Sequence, residues 1–312
     1  MQKFIGLALV LLCVFGGFVL AKGRLIALWQ PAELLIIIGA GVGALVIGNS
    51  RSVLKATWRQ LRAVLKNPGA DAELYPQLLK LLHRLLEEIR TRGLKVLDEH
   101  VDNPAASPLF QQYPLVLANG LLISFIADNL RMLTMGKIGP RDFEALLEQE
   151  IDAIEQDLLK PSRSLHKVAD AMPGFGILAA VGGIIITMQY IDGPLVGIGA
   201  HVAAALVGTF IGIFCCYCLL EPASSAVAEW VGRQMTLLEC VKAVLTAHSS
   251  GKTPLLSVDA GRKMLEIDVK PSFATLEGWV TADDGRSHQA GTSAEAADDN
   301  VTPIPQRRVS DA

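Results

Sequence analysis

The long apolar runs of this chain contain no Asp, Glu, Lys or Arg in their middles. Proteins that carry ions across a membrane place an ionisable group there. The chain therefore moves no ions, or shares the task with a partner that supplies the acid. Enzyme signatures are also missing: there is no phosphate-cradling GxxxxGK loop ending in Ser or Thr, no HExxH and no GxSxG. The 6 histidines are scattered, and no catalytic or metal-binding set emerges from them. The 5 cysteines imply no disulfide framework. Cys215, Cys216 and Cys218 fall within one apolar run, where they act as small apolar residues. Strand-type alternation is scarce. A net charge of −3 points to no nucleic-acid partner.

What is present is apolar length. Hydrophobic residues make up 51% of the chain and the mean hydropathy is +0.39, high for a soluble domain. A membrane-spanning helix needs roughly 20 apolar residues. Four runs approach or exceed that length: 4–21, 34–50, 171–191 and 193–220, the last interrupted only by His201. The first lacks a cleavage site before Gly23 and is followed closely by the second, so 1–50 reads as a retained transmembrane hairpin. Arg51, Lys55, Arg59, Arg62 and Lys66 follow the second run, with no acid until Asp71. By the positive-inside rule this places 51–170 in the cytoplasm. Four spans then put both termini there too.

The expected fold class is an all-α integral membrane protein, four transmembrane helices plus a helical cytoplasmic domain. In 51–170, Leu78, Leu81, Leu82, Leu85 and Ile89 recur at helical spacing and Gly93 breaks the pattern. Residues 115–135 form a second stretch, striped by Leu115, Leu122, Ile126 and Leu130. A third, 141–159, carries Phe143, Leu146, Leu147, Ile151, Ile154 and Leu158, and Pro161 stops it. The hairpin 171–222 comes next, then a cytoplasmic helical region over 223–280, in which 223–247 is a helix ended by Ser249-Ser250-Gly251. Residues 281–312 are small and polar, the composition of a disordered tail.

Small residues recur along the later runs. Ala204, Gly208 and Gly212 share one helical face, as do Gly176, Ala180 and Gly183. Such faces let backbones approach closely in lipid. Thr209 projects beside that surface. Its hydroxyl needs a partner: the carbonyl four residues back, a water or another chain. Pro173 and Pro222 stand near the two ends of this hairpin.

Four segments, in order, carry a family resemblance. The run from Asp170 through Pro173 and Gly176 to Ala180 (DAMPGFGILAA) resembles the third-span motif of MotA, the flagellar stator A-subunit family. The run His201–Gly212 (HVAAALVGTFIG), with Tyr217 and Pro222, is similar to its fourth-span motif. The segment from Arg90 to Pro104 resembles the family's rotor-facing segment. Gly261-Arg262-Lys263, Lys270-Pro271-Ser272-Phe273 and Leu276-Glu277 resemble its C-terminal signature. The likeness runs from residue 1 to about 280 with spacing intact.

The resemblance implies a torque-generating, proton-conducting stator subunit in the bacterial inner membrane. It implies a ring of five such chains around two MotB-like, single-span, peptidoglycan-anchored subunits, whose aspartate is the missing acid. Thr209, Ala180 and Thr187 would line the ion path. Pro173, Pro222, Asp170 and Tyr217 would couple ion binding to shape change. Arg90, Asp98 and Glu99 would meet a FliG-like rotor ring protein. The family's usual glutamate is here Asp98, with Glu99 beside it. Ala180 stands where sodium-driven relatives carry threonine, which favours protons, although Thr187 returns a hydroxyl to the same face. No cofactor is implied beyond the transported ion. A different class of role is an ExbB/TolQ-like subunit energising an outer-membrane process, but those relatives have three spans and an external N-terminus.

Overall fold

The computed structural model describes residues 2–66, 71–136, 138–189 and 195–281. These residues are mostly helical, and no strand occurs among them. Helices α1 (Gln2–Leu20) and α2 (Pro31–Ile47) form the first hairpin. Pro31 opens α2 because the first turn of a helix needs no backbone donor. The basic α3 (Arg51–Lys66) and the long α4 (Asp71–Arg92) follow. Gly93, at φ +81, ends α4 in the left-handed region that favours glycine.

Short helices come next: α5 (Leu97–Val101), α6 (Pro108–Gln111) and α7 (Pro114–Leu117). Then come α8 (Gly120–Thr134), α9 (Pro140–Leu158) and the 30-residue α10 (Lys160–Gln189). Helix α11 (Leu195–Phe214) passes through a π-helical turn (Cys215–Leu220) into α12 (Glu221–Ser249). The chain closes with α13 (Pro254–Arg262) and a last helical stretch at 273–281.

Two sequence expectations are corrected. The stretch expected over 115–135 is divided, because Asn119 accepts the Leu122 N–H and starts a new helix at Gly120. Pro161 does not merely stop a helix. After a single-residue break at Leu159 it sits in the first turn of α10, where its missing N–H costs nothing. The tail expected at 281–312 lies outside the described residues except for Thr281, as do residues 190–194.

The chain divides into two compact units. One comprises the residues up to Asp71 together with Gln149–Met235. Within it α10 packs along α11, and α2 lies against both. Its core holds Ile37, Ala169, Met172, Ala179, Val207 and Ile211. Apolar side chains such as Leu12, Leu35, Ile185 and Leu206 remain exposed, the expected surface of helices solvated by lipid or by other membrane helices. Three described helices are long and apolar enough to cross a membrane, within Lys3–Leu20, Pro140–Gln189 and His201–Ser249. The fourth apolar segment is the shorter α2, 17 residues long.

The other unit comprises Ala72–Glu148 and the chain from Thr236 on. The expected stripe of α4 is buried in full, but so are Leu79 and Leu86 beside it. Helix α4 is thus enclosed over more than one face. Phe110, Phe125, Ile126, Leu130, Val241, Val244 and Val258 complete this core.

Candidate functional site

The seam between α10 and α11 is a glycine contact. A Cβ added at Gly176 would lie 3.0 Å from the Gly208 carbonyl oxygen and 3.3 Å from the Thr209 Cα. One added at Gly212 would lie 2.7 Å from the Met172 oxygen and 2.8 Å from the Gly176 Cα. Gly183 meets Ala205 in the same way, at 3.0 Å. The small faces read from sequence thus do pack together. The register is one residue away from expectation at two positions: Ala205 rather than Ala204, and Ala179 rather than Ala180, are the fully buried alanines. Ala180 is half-buried.

Thr209 and Thr187 behave differently. The Thr187 hydroxyl donates to the Gly183 carbonyl at 2.8 Å, the self-capping that the sequence had left open for Thr209. Thr209 makes no hydrogen bond among the described residues. Its hydroxyl, half-buried beside the seam, remains available to a water, an ion or another chain.

Sequence reasoning missed an acid. Glu33 marked only the start of an apolar run, yet it is 8% exposed in the fold. Its Cγ lies 3.5 Å from where a Cβ on Gly208 would stand. The first turn of α2 lies beside Gly208, which stands in the interior of α11. An acid at the end of one helix thereby sits beside the middle of the hairpin. No spacing rule on α2 alone could reveal it.

Each of the two prolines removes one α-helical hydrogen bond from its helix. Pro173 lies inside α10, so the Ala169 carbonyl receives no α-helical bond. Pro222 cannot donate to the Cys218 carbonyl, and the chain immediately before it widens into the π-turn. There the Glu221 N–H bonds the Cys216 carbonyl, five residues back. Tyr217 on this turn is exposed. The π-turn was invisible to a reading that treated 193–220 as one regular helix.

Close in sequence to both prolines lies an ionic cluster. His166 Nδ1 bonds Glu221 Oε2 at 2.7 Å, and its Nε2 faces Asp170 Oδ2 at 3.6 Å. The bond to Glu221, then the charges of Asp170 and Glu221, hold the imidazole above its ordinary range. The structure thus gives Asp170 a histidine partner, which sequence reasoning had not assigned. Nearby, Ser162 and Ser224 join α10 to α12 by exchanging hydroxyl-to-carbonyl bonds of 3.0 and 2.9 Å.

The other unit carries the remaining candidates. Arg90 is exposed and bonds Glu87 through Nε at 2.9 Å and through a terminal nitrogen at 2.8 Å. Asp98 and Glu99 lie on α5, and their side chains are outside the described residues. His100 anchors that helix. One ring nitrogen bonds Glu88 at 2.9 Å and the other bonds Ser107 at 2.8 Å.

Comparison with known proteins follows this geometry. The family described as Motility protein A N-terminal matches residues 4–93, and the MotA/TolQ/ExbB proton channel family matches residues 118–240. The chain is 56% identical to the chemotaxis protein LafT of Vibrio parahaemolyticus, over 91% of this chain and 100% of that protein. It is 36% identical to motility protein A of Escherichia coli, over 95% of this chain and 100% of the relative. Two solved structures share the fold. The Campylobacter jejuni MotAB structure matches at a TM-score of 0.69 and 18% identity, over 86% of this chain and 96% of that one. The Bacillus subtilis flagellar MotAB stator complex matches at 0.65 and 23%, over 88% and 97%. By its motifs, its glycine-seamed hairpin and its likeness to full-length relatives, the chain belongs to the MotA family of flagellar stator A-subunits.

Proposed function

We propose that the chain is a stator subunit which, with a MotB-like partner, conducts protons and converts their passage into flagellar rotation. The observation that carries the reading is the α10–α11 seam. Its glycines bring two backbones together, and the Thr209 hydroxyl beside them has no hydrogen-bond partner among the described residues. A carboxylate on a partner's single span completes such a site. Glu33, buried beside Gly208, adds a second carboxylate to the ion path. Thr187 bonds to its own backbone and lines the path without presenting a free donor. Ala180 offers no oxygen to replace the hydration shell of a sodium ion, which supports protons as the coupling ion.

The same reading places five copies around a partner dimer in the inner membrane, with both termini cytoplasmic. Arg90, Asp98 and Glu99 then meet the FliG-like rotor ring, where charge steering suits an interface that engages and releases repeatedly. Asp170, Pro173, Tyr217 and Pro222 translate ion binding into motion. Support for these roles comes from the family, from the α-helical bond missing at each proline and from the π-turn before Pro222.

The test is rotation of tethered cells lacking their own stators. This chain is expressed with its neighbouring B-subunit, and the proton gradient is collapsed at fixed sodium. Rotation that stops with the gradient is the expected result. Rotation that follows external sodium overturns the proton assignment. Assembly without rotation favours an ExbB/TolQ-like role. Ala180→Thr should leave proton-driven rotation in place. Glu33→Gln should lower proton flux and speed while assembly persists.

A further inference from the structure

We propose that His166 is a cytoplasmic proton-responsive latch, tying Asp170 on α10 to Glu221 at the start of α12 when charged and releasing them when neutral. The inference rests on the stator reading. Its geometry stands on three groups that each bring one ring-nitrogen or carboxylate-oxygen atom within 4.8 Å of the others.

The imidazole bonds Glu221 at 2.7 Å through Nδ1 and turns Nε2 toward Asp170 at 3.6 Å. Only the charged ring has a proton on each nitrogen. The neutral ring can donate to one carboxylate and then points a lone pair at the other. Losing the proton also leaves two carboxylates facing each other with no cation between them. Charge therefore decides whether the two helices are joined or repelled. The charges that bear on the ring are those of Glu221 and Asp170.

Position turns this pair into a latch. Asp170 lies three residues before Pro173, and Glu221 immediately precedes Pro222. The Glu221 backbone N–H also closes the π-turn onto Cys216. The ring thus grips both helices at the places where each lacks an α-helical bond and bends most easily. The hydrogen bond to Glu221, then the charges of Asp170 and Glu221, raise the affinity of the ring for its proton. Acidification closes the latch and stiffens the hinge. Alkalinisation opens it.

His166 is a positioning residue, so its test needs a readout that a merely structural role does not move. Rotation speed is measured while a permeant weak acid lowers cytoplasmic pH and the total proton-motive force is held constant. The ratio of His166→Gln speed to native speed should rise as the cytoplasm is acidified. His166→Lys, which keeps the charge, should stay slow at alkaline pH, where the native chain runs freely. A ratio independent of pH overturns the latch. The second arm needs no rotation: the His166 ring is titrated by NMR in the solubilised chain, its signal assigned by its loss in His166→Gln. The midpoint should lie above 6.5 and move down in Glu221→Gln. A midpoint at or below 6.5, or one that Glu221→Gln leaves in place, overturns the latch whether or not the chain drives rotation. Absence of rotation by the native chain with its partner defeats the stator reading instead.

Discussion

At Gly212 an added Cβ would meet the Met172 carbonyl and the Gly176 backbone, neither of which can rotate aside. Gly212→Ala must push α10 and α11 apart, at a cost of about 1–3 kcal/mol for overpacking. Gly174→Ala, on α10 two residues before Gly176, meets nothing within 4 Å and serves as the control. Thermal unfolding of the solubilised chain should separate the two, and an equally stable Gly212→Ala would refute the close seam. Gly261, in the C-terminal signature, is as tight: its Cβ would lie 2.4 Å from Val244 Cγ2 and 2.9 Å from the Cys240 oxygen. Buried Cys240 itself has a thiol pushed up to about 12, so it should resist alkylation at neutral pH until the chain unfolds. Asp259 is the acid-sensitive residue of this region. Burial pushes its carboxyl up, but hydrogen bonds from Lys263 and Arg262 outweigh that and hold it below the ordinary range. Its stabilising contribution is therefore present above about pH 4, the free value, and is lost as pH falls through the folded one. The gap in unfolding temperature between native and Asp259→Asn chains should be largest at neutral pH and shrink on acidification.

At the scale of elements, Pro222 and His100 carry separate predictions. Pro222→Ala restores the N–H that the Cys218 carbonyl lacks, so the π-turn should contract toward a regular helix. Assembly with the partner should survive while torque falls, and unaltered rotation speed would remove Pro222 from the coupling path. His100 holds α5 by bonds to Glu88 and Ser107, each worth about 1 kcal/mol. His100→Ala should raise amide hydrogen exchange across Leu97–Val101 and leave the core of α4 protected. Much of this was legible beforehand, because helical periodicity is a local property. The stripe from Leu78 to Ile89, the break at Gly93 and the end of α12 at Gly251 all follow from neighbours in sequence. Asn119 was readable too, as a cap, yet the run of leucines around it outweighed one polar residue. The π-turn had no signature beyond the proline that causes it, since Cys215–Leu220 is as apolar as any regular turn.

For the whole molecule, the long helices do not respect the segments drawn on the sequence. Helix α10 runs unbroken from the charged Lys160 through Asp170 into the apolar run, and α12 leaves one compact unit and enters the other. The chain thus passes from one unit to the other inside a helix rather than in a loop. Shortening α12 by one turn between Gln234 and Leu237 should therefore abolish rotation while the partner still binds. Rotation that survives the deletion would exclude mechanical transmission through α12.

The amino-acid sequence by itself determined the helical class, the apolar segments and the family, because each rests on local composition or ordered motifs. Only the tertiary structure decided which residues meet. It buried Glu33 against Gly208, chose Ala179 over Ala180, gave Thr187 rather than Thr209 a backbone partner and set His166 between Asp170 and Glu221. The physical reason is that these pairings depend on the depth and rotation of one helix against another. Those are set by close packing across the whole unit, and residues as far apart as 33 and 208 carry no local record of them.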